Sequence, residues 1–206
     1  VTGNPIRSDF FKVTEQEAVM RYGGKSDKPL VLVVGGSGGA FKINNAVVEM
    51  LKKYRPKEFR VILATGERLY DRTVKSIRKP DLAENHEIVP YINDMPYALR
   101  ECDLIVCSAG AITIAEITAV GKPAILIPKA HTAEDHQQHN ADAMRNEGAA
   151  FVIYEDELNS KILNENIMKI LGDKETLEHM GMAGKKRAIV DATDRIYNEI
   201  KKVLTI

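Results

Sequence analysis

The 206-residue sequence has no tryptophan, only two cysteines and no excess of either charge. Cys102 and Cys107 lie in one apolar stretch, so we expect small core residues rather than a disulfide, as in a reducing compartment. The 29 basic residues balance 29 acidic ones, which gives no bulk field for nucleic acid. No apolar run is long enough to span a membrane and no signal peptide is evident. Because the chain starts at Val1 rather than Met, and its first residues are typical of the middle of a longer polypeptide, we expect a fragment.

Apolar, β-branched runs recur along the first three quarters of the chain. Their hydrophobicity is continuous rather than alternating, which favours strands buried on both faces of a parallel sheet. Segments with helical periodicity separate them, and this alternation predicts a doubly wound, Rossmann-like α/β fold with a parallel six-stranded sheet. The predicted strands are 29–36, 59–65, 86–92, 103–109, 123–128 and 149–154, and the helices between them include 41–53, 67–77, 111–120 and 133–147.

The strands are expected to stop at about residue 154, and a helical tail to follow at 158–204, in segments 158–171, 174–187 and 192–204. We find no linker or repeat, so residues 1–206 are predicted to form a single domain. The last predicted helix repeats Ile196, Ile200 and Leu204 on one stripe. That stripe must pack on this domain or on something outside it.

A glycine-rich turn follows the first predicted strand, in the sequence VVGGSGGAFKIN. Glycines let the backbone approach a ligand closely, and the helix that follows offers unpaired amides for a phosphate. Ser37 and Gly38 are the candidate contacts. Phe41 breaks both the Walker A pattern and the dinucleotide fingerprint, so the usual ATP and NAD interpretations are weak. The alternative is a tight turn that only lets helix pack on strand.

A second small-residue turn, at 108–111, leads into a helix predicted to end at Gly121. The first amides of that helix, on Ala111, Ile112 and Thr113, can point at an anion. Glu116 lies one turn further, and its two acceptor oxygens suit the vicinal hydroxyls of a ribose. These features together describe a nucleotide site, although an exposed glutamate on an ordinary amphipathic helix remains the alternative.

Two more turns carry candidate residues. In PKAHTAEDHQQHNADAM, Thr132 and Asp135 predict a helix that begins at Ala133, with Gln137, Gln138 and Asn140 available for sugar hydroxyls. The nearby histidines 131, 136 and 139 lack a metalloprotease pattern and cysteine partners, so we expect them to be polar lining or solvated rather than a metal site.

The turn VPYINDMPYAL places Ile92 and Met95 where they could hold a flat base. The alternative is a loop that only caps the next helix.

The segments TGNPIR, VVGGSGGAFKIN, YINDMPYAL, SAGAITIAEITAVGKPAILIP and EDHQQHNA resemble, in this order, the MurG family of glycosyltransferases. The resemblance covers nearly the whole chain. It implies the carboxyl-terminal, donor-binding half of a GT-B enzyme that makes peptidoglycan for the bacterial cell wall, and so serves cell shape and division.

The resemblance also implies roles for matching residues. Arg7, Ser37 and Gly38 would meet the diphosphate of UDP-N-acetylglucosamine, together with the amides of Ala111, Ile112 and Thr113. Ile92 and Met95 would hold the uracil and Glu116 the ribose. Gln137 and Asn140 would contact the sugar, and whether Gln138 replaces Gln137 there is left open.

The implied reaction is inverting transfer of N-acetylglucosamine from UDP-N-acetylglucosamine to lipid I, which yields lipid II. No catalytic residue is expected in this chain, because the general base would lie on the amino-terminal half with the acceptor and membrane surfaces. No cofactor is implied, and whether a divalent cation assists the diphosphate is left open. The full-length enzyme would be cytoplasmic and peripheral on the inner face of the bacterial membrane.

Two alternatives stand beside this interpretation. One is a naturally separate donor-binding subunit of a split glycosyltransferase that needs a membrane partner. The other is a non-catalytic nucleotide-binding domain on the same scaffold, because a fold does not determine a function.

Overall fold

Six parallel strands form one sheet in a computed structural model that describes residues 2–23, 27–36, 38–78, 82–130 and 133–204, without the side chain of Ala133. The order across the sheet is β3-β2-β1-β4-β5-β6. The strands are β1 (Leu30–Val34), β2 (Arg60–Ala64), β3 (His86–Val89), β4 (Leu104–Cys107), β5 (Ala124–Leu126) and β6 (Phe151–Val152).

The order of the strands reverses at the centre of the sheet. From β1 the chain moves outward through β2 and β3, and it then returns to place β4 on the other side of β1. Val33 pairs with Leu63 of β2 and with Val106 of β4. This doubly wound arrangement confirms the predicted fold class, and it creates a switch point between β1 and β4, where parallel sheets bind ligands.

Helices cover both faces of the sheet. They are α1 (Asp9–Lys12), α2 (Glu15–Tyr22), α3 (Phe41–Tyr54), α4 (Glu67–Lys75), α5 (Met95–Glu101), α6 (Ala111–Val120), α7 (His136–Asn146), α8 (Ser160–Leu171), α9 (Lys174–Arg187) and α10 (Ala192–Leu204). A 3₁₀ turn, Ala133–Asp135, precedes α7.

Strand β1 shows why the predicted strands are apolar throughout. All five of its residues are buried. Val31 and Val33 face a core shared with α3 and α8, whereas Leu30 and Leu32 face a second core shared with α5 and α6. Alternate side chains of a strand point to opposite faces, so a sheet covered on both sides needs apolar residues at every position.

The two cysteines lie in the second of these cores. Cys102 and Cys107 are both buried and both free thiols. The prediction that they are small core residues is therefore confirmed.

Helix α10 leaves most of its apolar stripe uncovered. Ile196 is half-buried, but Ile200 is 51% exposed and Leu204 is 75% exposed. None of the helices in the described part of the chain is both long and apolar enough to cross a bilayer.

Candidate functional site

The turns that follow β1, β2, β3, β4 and β5 all open at one edge of the sheet, where the strands have their carboxyl ends. The turns after β1 and β4 are close together. A Cβ placed on Gly36 would lie 3.6 Å from the Ser108 Oγ. The sequence analysis singled out four of these turns, and the topology brings them to the same place.

The glycine turn after β1 is packed tightly against the turn after β2. Gly39 has a φ of +72°, and a Cβ on it would lie 2.3 Å from the Thr65 carbonyl oxygen. Gly66, with a φ of +81°, approaches the Gly39 backbone almost as closely. Glycine is the only residue that fits either position without strain. Gly38 differs, because it is exposed and a Cβ there would meet nothing within 4 Å among the described residues. Ser37, a predicted contact, lies outside the described residues.

A cavity of about 150 Å³ lies beside this turn. Its walls combine apolar side chains with a few polar groups, which is usual for small-molecule sites. Five of the predicted site residues meet there, and the lining includes Arg7, Ile92, Met95, Thr113 and Glu116 together with Gly36. Ile92 is buried and Met95 is half-buried, so the cavity offers an apolar surface close to a carboxylate.

Glu116 is the acid of this cavity. Its side chain is half-buried, and burial raises the pKa of the carboxyl above the usual 4.5, whereas the positive charge of Arg7 opposes that rise. The alternative in which Glu116 is an exposed residue of an amphipathic helix is therefore excluded. A half-buried carboxylate is costly unless donors reach it, so this position suits a ligand with hydroxyl groups.

Arg7 comes from the segment before α1 and reaches the same cavity. It is exposed, and its guanidinium lies 5.6 Å from the ring centroid of the buried Phe10. Nearby, the Asn4 amide donates to the Ala111 carbonyl oxygen at 3.4 Å, which ties this segment to the first turn of α6. An exposed cation at the mouth of the cavity can reach an anion bound there.

Helix α6 spans Ala111–Val120, and Gly121 stops it as a left-handed C-cap, as predicted. Its N-cap residue is Gly110, which has no side chain to accept from the first amides. Ala111 and Ile112 are exposed and Thr113 is half-buried. The orphan amides of this first turn are thus available to an anion.

The same lack of caps is common to the helices that start at this edge. Helices α3, α4, α5, α6 and α7 have no side-chain hydrogen bond at their N-caps within the described part of the chain. Thr14, Asn159 and Asp173, by contrast, cap α2, α8 and α9. Capping is normally stabilising, so its absence at this edge leaves amides for a bound ligand.

The helix predicted to begin at Ala133 begins three residues later, at His136. Glu134 and Asp135 have φ values of +52° and +47°, a left-handed conformation that no right-handed helix can contain. The prediction relied on Thr132, which lies outside the described residues together with His131.

Gln137 and Asn140 share one face of α7 and both reach back to the site edge. Gln137 Oε1 accepts from the Lys129 backbone N–H at 3.1 Å. The Asn140 amide donates to the Ala109 carbonyl oxygen at 3.1 Å. Gln138 is exposed and makes no such bond in the described part of the chain. Among the described residues, no group of three or more His, Cys, Asp and Glu side chains could hold a metal ion.

Sequence reasoning missed three contributors to this edge. The first is the turn at Thr65 and Gly66, which an Ala-Thr-Gly after a strand could have indicated. The second is the end of α2, which contacts Asp94 in the turn after β3: Arg21 pairs with the Asp94 carboxylate at 3.0 Å, and the Tyr22 hydroxyl donates to it. The third is Lys129, whose Nζ donates to the Gly39 carbonyl oxygen at 3.2 Å.

Comparison with known proteins identifies the fold. Residues 30–196 match the glycosyltransferase family 28 C-terminal domain. A crystal structure of MurG from Acinetobacter baumannii superposes with a TM-score of 0.76 and 26% identity, over 97% of this chain and 57% of that one. A UDP co-structure of MnaA from S. aureus has a TM-score of 0.71 at 15% identity, over 99% of this chain and 54% of that one, which shows likeness of fold alone. The chain is thus a carboxyl-terminal domain of the GT-B class of glycosyltransferases.

Sequence relatives narrow the class further. A UDP-N-acetylglucosamine--N-acetylmuramyl-(pentapeptide) pyrophosphoryl-undecaprenol N-acetylglucosamine transferase of Alkaliphilus oremlandii is 61% identical over 204 residues, which are 99% of this chain and 56% of that protein. The protein of the same name in Clostridioides difficile is 43% identical over 98% of this chain and 49% of its own length. This chain belongs to the MurG family, within glycosyltransferase family 28. It spans about half the length of the curated relatives it matches.

Proposed function

We propose that this chain is the donor-binding domain of an inverting transferase. The enzyme moves N-acetylglucosamine from UDP-N-acetylglucosamine to lipid I and so forms lipid II. The observation that carries the proposal is the half-buried Glu116 carboxylate, which lines one cavity with the glycine turn and the first turn of α6. The names of the relatives, which describe this transfer, support the choice of substrates.

In this proposal each part of the donor has its own partners. Ile92 and Met95 hold the uracil, and Glu116 accepts from the ribose hydroxyls. The diphosphate lies between the amides of Ala111, Ile112 and Thr113, the glycine turn with Ser37 and Gly38, and the guanidinium of Arg7. The sugar is bound by Gln137 and Asn140, because these two share a face of α7 and both make hydrogen bonds at the site edge.

The reaction needs groups that this chain does not provide. An acceptor hydroxyl attacks the anomeric carbon, and its proton goes to a general base that we place on the amino-terminal half. The bond to the diphosphate breaks, and the leaving UDP gains a negative charge that helix amides and Arg7 stabilise. We therefore propose that residues 1–206 act as one donor-binding domain that transfers no sugar by itself.

The proposal also covers where the complete enzyme binds its acceptor and on which side of the membrane it lies. The lipid-linked acceptor would bind through the amino-terminal half, which would also contact the membrane. The complete enzyme would then be peripheral on the inner, cytoplasmic face of the bacterial membrane.

Calorimetry with three nucleotides tests the donor assignment. We expect UDP and UDP-N-acetylglucosamine to bind and ADP to bind much more weakly, since the cavity beside Ile92 is small. Glu116→Ala should weaken UDP binding by about 1–3 kcal/mol, the cost of leaving buried partners unsatisfied. Glu165→Ala, an exposed acid on α8, is the matched control and should leave binding unchanged.

Weak and equal binding of all three nucleotides would instead favour a domain of another function. Sugar transfer by the isolated chain would contradict the assignment of the general base to the other half.

A further inference from the structure

Lys129 is a lysine at the site edge whose role is not assigned above. It follows β5, and its side chain is half-buried. Its Nζ donates to the Gly39 carbonyl oxygen at 3.2 Å, so the ammonium lies directly beside the glycine turn. The partner is a carbonyl oxygen rather than a carboxylate, and the positive charge of the ammonium is not cancelled by that bond.

The backbone around Lys129 is held in place on both sides. The Lys129 backbone N–H donates to Gln137 Oε1 at 3.1 Å, and the next amide, on Ala130, donates to Glu155 Oε2 at 3.1 Å. Glu155 also pairs with Lys42 in the first turn of α3, at 3.3 Å. These contacts hold the backbone of Lys129 and Ala130, and the bond to the Gly39 carbonyl oxygen places the ammonium beside the glycine turn.

A neighbouring lysine shows what distinguishes this one. Lys42 lies on the same side of the glycine turn, but its ammonium is paired with a carboxylate and its side chain is 54% exposed. Lys129 is linked to the turn itself and has two more N–H groups on its ammonium to donate. A cation in this position complements an anion that the turn binds.

We propose that Lys129 is a charge partner for the distal phosphate of the nucleotide diphosphate, an inference that rests on the proposed function. The Gln137 face of α7, which we assign to the sugar, is bonded to the Lys129 backbone, so the ammonium lies at the sugar-proximal end of the diphosphate. When the bond between the anomeric carbon and the diphosphate breaks, its electron pair stays on the distal phosphate oxygen. Lys129 stabilises the charge that this oxygen gains.

A ligand series tests the proposal with the 206-residue chain. Dissociation constants for uridine, UMP and UDP are measured by NMR titration for the wild type, Lys129→Met and Lys129→Arg. We expect Lys129→Met to weaken UDP binding about tenfold, as for a lost charge-assisted bond. UMP should change less than about threefold and uridine not at all, because neither has a distal phosphate. Lys129→Arg should recover most of the UDP affinity.

Lys161→Met, at an exposed position of α8, controls for the change in net charge and should have wild-type affinities. Equal losses for all three ligands would overturn the proposal, because they would show that Lys129 only supports the glycine turn. Unchanged UDP binding in Lys129→Met would overturn it too, while leaving the proposed function intact. Failure of the wild type to bind UDP would overturn both.

Discussion

Two adjacent glycines, Gly38 and Gly39, are expected to respond to the same substitution in opposite ways. Gly39 is enclosed: an alanine there keeps a φ of +72°, and its methyl group would lie 2.3 Å from the Thr65 carbonyl oxygen and 2.9 Å from Leu69 Cδ1. Gly38 is open, because a methyl group there would have no heavy atom of the described residues within 4 Å. We therefore expect Gly39→Ala to lower the unfolding free energy and Gly38→Ala to lower only the affinity for a ligand.

The magnitude for Gly39→Ala has two parts. A left-handed backbone costs an L-residue about 1–2 kcal/mol. Forcing a methyl group into a filled space costs roughly 1–3 kcal/mol more, because the carbonyl belongs to the backbone and cannot simply rotate away. The expected loss of unfolding free energy is thus about 2–5 kcal/mol, a large part of the ~5–15 kcal/mol that a folded domain has.

Urea denaturation of the wild type, Gly39→Ala and Gly38→Ala measures this difference. We expect the unfolding free energy of Gly39→Ala to fall by the amount given above and that of Gly38→Ala to stay within about 0.5 kcal/mol of the wild type. In UDP titrations Gly38→Ala should bind more weakly, because its methyl group occupies the space where the phosphate approaches the amides. A loss of stability below about 1 kcal/mol for Gly39→Ala would refute the packing argument.

Two further predictions concern parts of the chain away from the cavity. Burial lowers the pKa of His86 from 6.5, and its Nδ1 accepts from the Val61 N–H. The unfolded chain therefore takes up a proton at a higher pH than the folded chain, and the unfolding free energy should fall as the pH drops below about 6.5. In His86→Leu the urea midpoint should lack this part of the pH dependence. The exposed stripe of α10 predicts association at high concentration, which light scattering should detect and which Ile200→Glu with Leu204→Glu should abolish. A monomer at every concentration would contradict the second prediction.

The sequence predicted elements best where local signals agree. The bounds of α6, α9 and α10 are those predicted, because Gly121 ends the first of them in a left-handed conformation and Asp173 caps the second. The strands are shorter than their apolar runs. Residues 149–154 are predicted as a strand, yet β6 comprises only Phe151 and Val152. Ala149 and Ala150 are buried in the loop that leads to β6, so the apolar run is longer than the strand.

Contacts between distant segments explain most of what the sequence could not predict. The approach of Arg7 to Glu116 and that of Lys129 to Gly39 depend on the strand order, which no local pattern shows. The early start predicted for α7 failed for a different reason. Glu134 and Asp135 are ordinary helix residues by composition, but the turn that leaves β5 requires a left-handed backbone there.

The hydrogen bonds between Glu116 and the ribose are tested most directly by changing both partners. Dissociation constants are measured for UDP and for 2′,3′-dideoxy-UDP, each with the wild type and with Glu116→Ala. We expect removal of the hydroxyls to weaken binding to the wild type by about tenfold or more, and to have almost no effect in the variant, because the carboxylate that accepts from them is gone. An equal loss in both proteins would show that Glu116 does not bind the ribose, and the assignment of this edge to a nucleotide sugar would lose its main support.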